Sequence, residues 1–464
     1  MNSETKTEDT ISPRALQVDS HTGKKPKIVA QMADWQYLER SLHRMMAGWG
    51  RHFSEWTDKV AVSRHVWEQS ECVRRLRERL EEFPGTTSNL ETPVSATLET
   101  LVNTVLLAPA HEDAVDGIYQ ILTGALVQAY LAYAQAAHPV HDAPTVAMLS
   151  DIVRIKEQQR LWLRDYRRRH PHVTDSAYKA CITQMLDACG GLSQALPVEG
   201  KPALPVGVRT PFRPPARAAV PVGTETQHEI MPLLEADFTR SLEARRLFWC
   251  YGYMLEMHLA EDQLLWLYDG WAMPWEFLQD VSRHLWDESR HGDSGYSRLL
   301  DFGISLEEIG YASSTSDADL SGEAAVISPK QLYDMVFFIG LVAETGHFSV
   351  KHEAYADLKE GGDLESAEMM LFDIIDETSH VQYAHKWLPM LAERAGLAGE
   401  NFKQRGSQVR EQCAADAKER ALSAPSHSEN DAAYHFYQEM LARMRTRQPL
   451  TNAAICPPRS FKPM

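Results

Sequence analysis

WDESRHGDS at residues 286–294 and DIIDETSHVQY at residues 373–383 decide how this chain is read. In the first, Glu288 and His291 stand three residues apart, and in the second Glu377 and His380 repeat that spacing. Residues three apart on a helix share a face. Each pair falls on an apolar stripe: Phe277, Val281, His284, Glu288 and His291 in one helix, and Met370, Ile374, Glu377, His380 and Ala384 in the other. Both carboxylates are therefore aimed at a core, where an ionised carboxylate persists only if it is paired or bound to a metal.

Punctuation around the two stretches marks four long helices, expected over 233–269, 274–301, 329–358 and 364–395. Gly270 follows the first and Pro274 opens the second, the usual order for a helix stop and a helix start. Gly361-Gly362 and the candidate cap Asp363 separate the third from the fourth. Between the two hairpins, the polar run from Gly303 to Pro329 suits a long crossover along a bundle. The remaining two helices each add a glutamate to the apolar face: Glu256 after Trp249 and Tyr253, and Glu344 after Phe337 and Leu341. Glu256 precedes Glu288 by 32 residues and Glu344 precedes Glu377 by 33, so each hairpin sets one Glu opposite one Glu-x-x-His. Glu261 lies only 27 residues before Glu288, too short a step to reach the same level of the bundle.

With hairpin, crossover and hairpin in that order and four Glu and two His on facing helices, the segment 229–400 resembles the ferritin-like superfamily of diiron carboxylate proteins. The resemblance implies an all-α four-helix bundle with a dinuclear centre ligated by Glu256, Glu288, His291, Glu344, Glu377 and His380. It further implies two iron ions, with manganese or a mixed pair left open by the same ligands, and dioxygen as co-substrate. His347, three residues after Glu344, is a candidate seventh ligand; His284 and Asp373, each one turn before a ligand glutamate, are expected to orient their neighbours. Arg290 reads either as an anchor for an acidic substrate or as a solvated side chain.

The first half contains an echo of the second. VSRHVWE at 62–68 matches VSRHLWD at 281–287 at five of seven positions, which sets Gln69 against Glu288 and Cys72 against His291. Weaker similarity sets Gln128 against Glu344, Ile155 against Glu377 and Gln158 against His380. The expected organisation is two tandem ferritin-like bundles. It comprises a disordered tail at 1–30, a degenerate metal-free bundle at 31–195, a proline-rich linker at 196–228, the metal bundle at 229–400, and a helix with a tail at 401–464. Glu68 and Glu71 are expected on a solvated face.

Bulk properties narrow the function. The net charge of −17 opposes binding to nucleic acid, and the basic run RDYRRRH at 164–170 reads as a helix end. No apolar run reaches the ~20 residues that a membrane span requires. The six cysteines show no paired spacing, and the amino terminus lacks a secretory pattern, so a cytoplasmic protein without disulfides is expected. Aromatic residues along the first helix of the metal bundle (Trp249, Tyr251, Tyr253, Trp266, Tyr268, Trp271) suggest a shaped pocket. The leading expectation is an oxidase or oxygenase acting on a small molecule, N-oxygenation included, supplied by an external electron donor; a homodimer is left open. An iron- or peroxide-handling protein and a non-enzymatic helical scaffold are the alternatives.

Overall fold

Apolar residues recurring at three- and four-residue steps wind nearly all of the described chain into helix. The computed structural model describes residues 27–83, 90–91, 96–173, 176–192, 212–224, 230–238, 240–311, 323–423 and 431–451. Among these residues there is no strand, only an isolated bridge between Pro215 and Glu323. Among the described residues no helix is long and apolar enough to cross a membrane. The chain divides into two compact units, residues 1–49 with 68–212 and residues 50–67 with 213–464.

The first unit draws on α1 (Lys27–Gly50), α2 (Trp56–Glu81), α3 (Ala96–Leu106), α4 (His111–Val115), a π-helical stretch (Asp116–Leu122), α5 (Thr123–Ala136), α6 (Ala143–Arg169) and α7 (Ser176–Ala188). Its core is mainly apolar but also buries polar groups, Asp34, Gln36 and His43 among them, and one polar cluster lies around Glu39. There Glu39, wholly buried, accepts from Tyr130 Oη at 2.6 Å and from Gln69 Nε2, and meets Lys156 Nζ at 2.7 Å; Lys156 also donates to Gln69 Oε1 at 2.9 Å. An ammonium therefore neutralises the one buried carboxylate of this group. One turn on, Gln159 Nε2 lies 3.2 Å from Glu68 Oε2, and Glu68 is buried rather than solvated.

In the second unit, α8 (Met231–Asp237) leads into α9 (Leu242–Asp269), followed by α10 (Trp275–Asp301), α11 (Leu306–Ile309), α12 (Pro329–Phe338), a π-helical turn (Ile339–Ala343), α13 (Glu344–Glu360), α14 (Leu364–Arg394), α15 (Phe402–Ser423) and α16 (Ala432–Arg447). The four expected helices are present with two changes: the first is broken between α8 and α9, and the third is interrupted by the π turn just before Glu344. Ser241 and Asp363 cap α9 and α14 by accepting from Ala244 and Ser366, while Ser328 forms a capping box with Gln331 on α12. The α9–α10 hairpin is tight because Gly295 faces α9, where an added Cβ would sit 2.5 Å from the Cys250 carbonyl oxygen.

The linker and tails expected from sequence fall partly outside the described residues: 1–26, 196–211, 225–228, 424–430 and 452–464 lie there. Residues 213–224 belong to the second unit, burying Ala216 and Ala218, and the Arg51 guanidinium binds the carbonyls of Pro215 and Glu261 at 3.1 and 2.9 Å. Residues 50–67, expected in the first bundle, belong to the second unit. There Trp67 stacks on Trp286 at 4.2 Å, so the matching tryptophans of the two VSRH segments meet face to face. Because Lys156 is the cation beside buried Glu39, Lys156→Met should cost about 3–5 kcal/mol in urea denaturation, and adding Glu39→Gln should recover part of that loss. A single substitution that leaves stability unchanged would contradict this account of the core.

Candidate metal centre

Four helices of the second unit direct acidic and imidazole groups to one buried level. From α9 comes Glu256; from α10 come His284, Glu288 and His291; from the first residue of α13 comes Glu344; and from α14 come Asp373, Glu377 and His380. Apart from Glu256, whose side chain is 26% exposed, all are buried.

These side chains gather in two groups. In the first, His284, Glu288, Glu344 and His380 each offer a ligand atom within 4.8 Å of the others. His284 Nε2 lies 2.8 Å from Glu288 and 3.3 Å from Glu344; His380 Nδ1 lies 3.2 Å from Glu344 and 3.5 Å from Glu288; and the two rings stack at 3.6 Å. In the second group, Glu256, His291 and Asp373 meet, with His291 Nδ1 at 3.1 Å from Glu256 and 3.5 Å from Asp373. The groups adjoin through Glu288, whose Oε2 is 3.9 Å from His291 Nδ1.

Of the residues singled out from sequence, Glu288, Glu344 and His380 converge in the first group, and Glu256 and His291 in the second. His284 and Asp373, expected to stand behind the ligands, lie inside the groups. Glu377 and His347 lie in neither. Glu377 is engaged by the buried ammonium of Lys351, which also contacts Asp373 at 2.8 Å. His347 packs edge-on against Trp249, and burial, followed by the charge of Lys351, depresses its imidazole to about 4. Lys351 itself escaped the sequence reading. Seven residues after Glu344, it shares that glutamate's helix face.

Outside these groups the two Asp-Glu-x-x-His segments brace each other. Asp287 accepts from His380 Nε2 at 3.2 Å, and Asp376 accepts from His291 Nε2 at 3.2 Å, so the aspartate of each segment orients the histidine of the other. Such a bond turns the opposite ring nitrogen toward a metal. Arg283 and Arg290 bind both aspartates, and both guanidinium groups lie over Trp286. Arg290 is thus part of the scaffold, in ion pairs with Asp287 and Asp376. In the first unit Gln159 meets Glu68 as His380 meets Asp287, so Lys156 and Gln159, one residue beyond Ile155 and Gln158, stand in the roles of Glu377 and His380.

Charge tests the fit of a metal. Around this level stand five carboxylates (Glu256, Glu288, Glu344, Asp373 and Glu377) and one ammonium, leaving four negative charges that two divalent cations would balance. Oε2 of Glu344 and Oε2 of Glu377 are buried without a hydrogen-bond partner, as expected of groups shaped to meet a cation. Left to the protein's own groups, protons fill the role. Burial opposes charging His284, but Glu288 and Glu344 outweigh it and raise the imidazole to about 10. Glu256 is pushed up to about 7, first by desolvation and then by the charge of Glu288 against the relief supplied by His291. Glu344 falls to about 2 despite its burial, because His380 and His284 flank it. The donor set of imidazole and carboxylate suits iron or manganese.

Two openings reach the site. A cavity of about 360 Å³ ends on His291 and Asp373, lined also by Tyr253, Asp293, Ser294 and Glu368. On the opposite flank, a pocket of about 20 Å³ among Phe277, Val281, Val336 and Trp387 ends on His284 and His380. The chain matches no family model, no curated protein and no solved structure.

Two outcomes follow for metal binding. Asp376→Asn and Asp287→Asn, which remove the charge orienting His291 and His380, should each weaken Mn²⁺ binding about 10–100-fold in calorimetry with the helical circular dichroism unchanged. A cation must also displace the protons held by His284 (pKa about 10) and Glu256 (pKa about 7), so apparent affinity should rise with pH across that interval. More protons should be released per Mn²⁺ in a pH-stat at about pH 6 than at about pH 8, where Glu256 is already ionised; equal release would contradict the assignment.

Proposed function

We propose that the second unit carries a dinuclear metal centre, favouring two iron ions, and that the protein is a non-haem oxidase or oxygenase that uses dioxygen to oxidise a small molecule. The observation that carries this reading is the pair of adjoining imidazole–carboxylate groups with an excess of four negative charges at one buried level. When bound, a reduced metal pair supplies two electrons to dioxygen.

The chain's own residues do the remaining work. Glu288 lies between the two groups and is positioned to bridge them. Asp287 and Asp376 hold the outer nitrogens of His380 and His291, and the Arg283–Arg290–Trp286 stack keeps those aspartates fixed. The 360 Å³ cavity gives a small substrate access to the Glu256–His291–Asp373 side, past the Tyr253 ring and the polar groups of Asp293 and Ser294. The smaller pocket on the His284 side is walled mainly by aromatic and aliphatic side chains, which suits an apolar diatomic gas better than an organic substrate. An external reductant would return the centre to its reduced state.

The test is anaerobic loading with Fe²⁺ followed by air. The expected result is two ions per chain, dioxygen uptake in proportion to them, and no uptake by Glu288→Ala. Oxidation of iron far beyond two per chain would instead indicate iron handling, and a protein that takes up no metal and melts identically with or without it would leave only a helical scaffold.

A further inference from the structure

Two buried lysines stand beside the acidic groups of this chain, one in each unit, and they differ in what they leave unneutralised. Lys156 faces a single carboxylate, Glu39, with Gln69 as its other partner, so that ion pair is matched one to one. Lys351 faces two, Asp373 and Glu377, and its Nζ lies 3.0 Å from Asp373 Oδ1 and 2.8 Å from Asp373 Oδ2. Asp373 is also the α14 member of the group with Glu256 and His291. One carboxylate thus serves an ammonium and a candidate cation position together. Glu377 is bound to the same ammonium. By contrast, His284, Glu288, Glu344 and His380 have their ion-pair partners among imidazole and carboxylate groups, with no lysine or arginine in the set.

We infer that Lys351 is a built-in competitor for the second metal ion, so that the centre loads unequally: one divalent cation binds firmly at His284, Glu288, Glu344 and His380, and another binds more weakly at Glu256, His291 and Asp373. The inference rests on the dinuclear reading above and adds an order of filling to it. The reason is electrostatic. An ammonium within 3 Å of Asp373 repels a divalent ion approaching the same carboxylate and occupies oxygen lone pairs that the ion would use. The side chain is unbranched and reaches the site from α13, so it can withdraw along its own stem as the second ion enters, which would release Glu377 to ligate. The first unit supplies the limiting case, in which a lysine alone neutralises the buried acid.

Titration of the metal-free full-length protein with Co²⁺, followed by its visible absorption bands, and with Mn²⁺, followed by loss of the free-ion resonance signal, tests the inference without any substrate. Wild-type protein should bind two ions in separate phases, the second at least about 10-fold weaker. Lys351→Met should strengthen the second phase by about 10-fold or more and change the first by less than about 3-fold. Lys351→Arg, which keeps the charge, should leave the second phase weak. Melting curves supply an independent readout: metal-free Lys351→Met should melt below wild type, having two acids without their cation, and two equivalents of Mn²⁺ should restore it. Should Lys351→Met fail to fold without metal, refolding in the presence of Mn²⁺ and counting of bound ions after dialysis gives the same comparison. Two ions bound with equal affinity by wild-type protein, or a second phase unmoved or weakened in Lys351→Met, would overturn the competition and leave the dinuclear centre standing. Failure to bind any ion would overturn the centre itself.

Discussion

A carboxylate removed from water must find a counter-charge, and both units of this chain are organised around that requirement. In the first, the requirement is met within the protein: Glu39 has Lys156, a glutamine amide and a tyrosine hydroxyl. In the second, five acids share one ammonium and three imidazoles. Such a cluster folds only with protons or metal ions in the remaining places. The raised imidazole of His284 and the raised carboxyl of Glu256 are the mark of protons held against the ordinary preference of those groups. Pairing therefore distinguishes the two groups: Glu39 has its own ammonium, whereas the acids of the second unit outnumber their one ammonium.

The second determinant is the way the two Asp-Glu-x-x-His segments lock together. Since aspartate immediately precedes glutamate on each helix, it points off the apolar stripe by about 100° and reaches across to the neighbouring helix. Each segment thereby places its glutamate toward the centre and its aspartate on the other segment's histidine. Two arginines bridge the aspartates and lie over Trp286, which in turn stacks on Trp67. The arrangement is cross-braced: each arginine pairs with both aspartates, and each aspartate meets one histidine.

Much of this could be read from sequence because helical spacing is a strict geometrical rule. The four helices of the second unit, the cap at Asp363, and the inward direction of Glu288, Glu344 and His380 follow from helix punctuation and three- and four-residue steps. What spacing does not supply is depth. His284 and Asp373 lie one turn from their neighbouring glutamates on the same face, and only the tilt and close approach of the helices decide whether such a residue stands behind a ligand or beside it. Lys351 was missed because a lysine on an apolar face ordinarily extends its stem and keeps its charge in water; burial is forced here by acids on another helix, far away in sequence. The π turn at Ile339–Ala343 adds a residue to the helix just before Glu344 and shifts the register beyond it, a local change with no compositional signal.

Corresponding positions of the two units also carry different charge. The contacts that equate Gln159 with His380 also equate Lys156 with Glu377, so a carboxylate in one unit corresponds to an ammonium in the other. That exchange removes one negative charge and adds one positive charge at a single position. Gln69 and Cys72, which align with Glu288 and His291, bring no charge, and the Glu39 group holds one carboxylate and one ammonium. In the second unit the ammonium comes from α13 instead and the α14 glutamate remains, so part of the charge is neutralised and every acid is kept. One unit thus carries its buried lysine at the position of an acid, and the other carries it on the helix facing the acids. The distinction lies in which helix carries the positive charge.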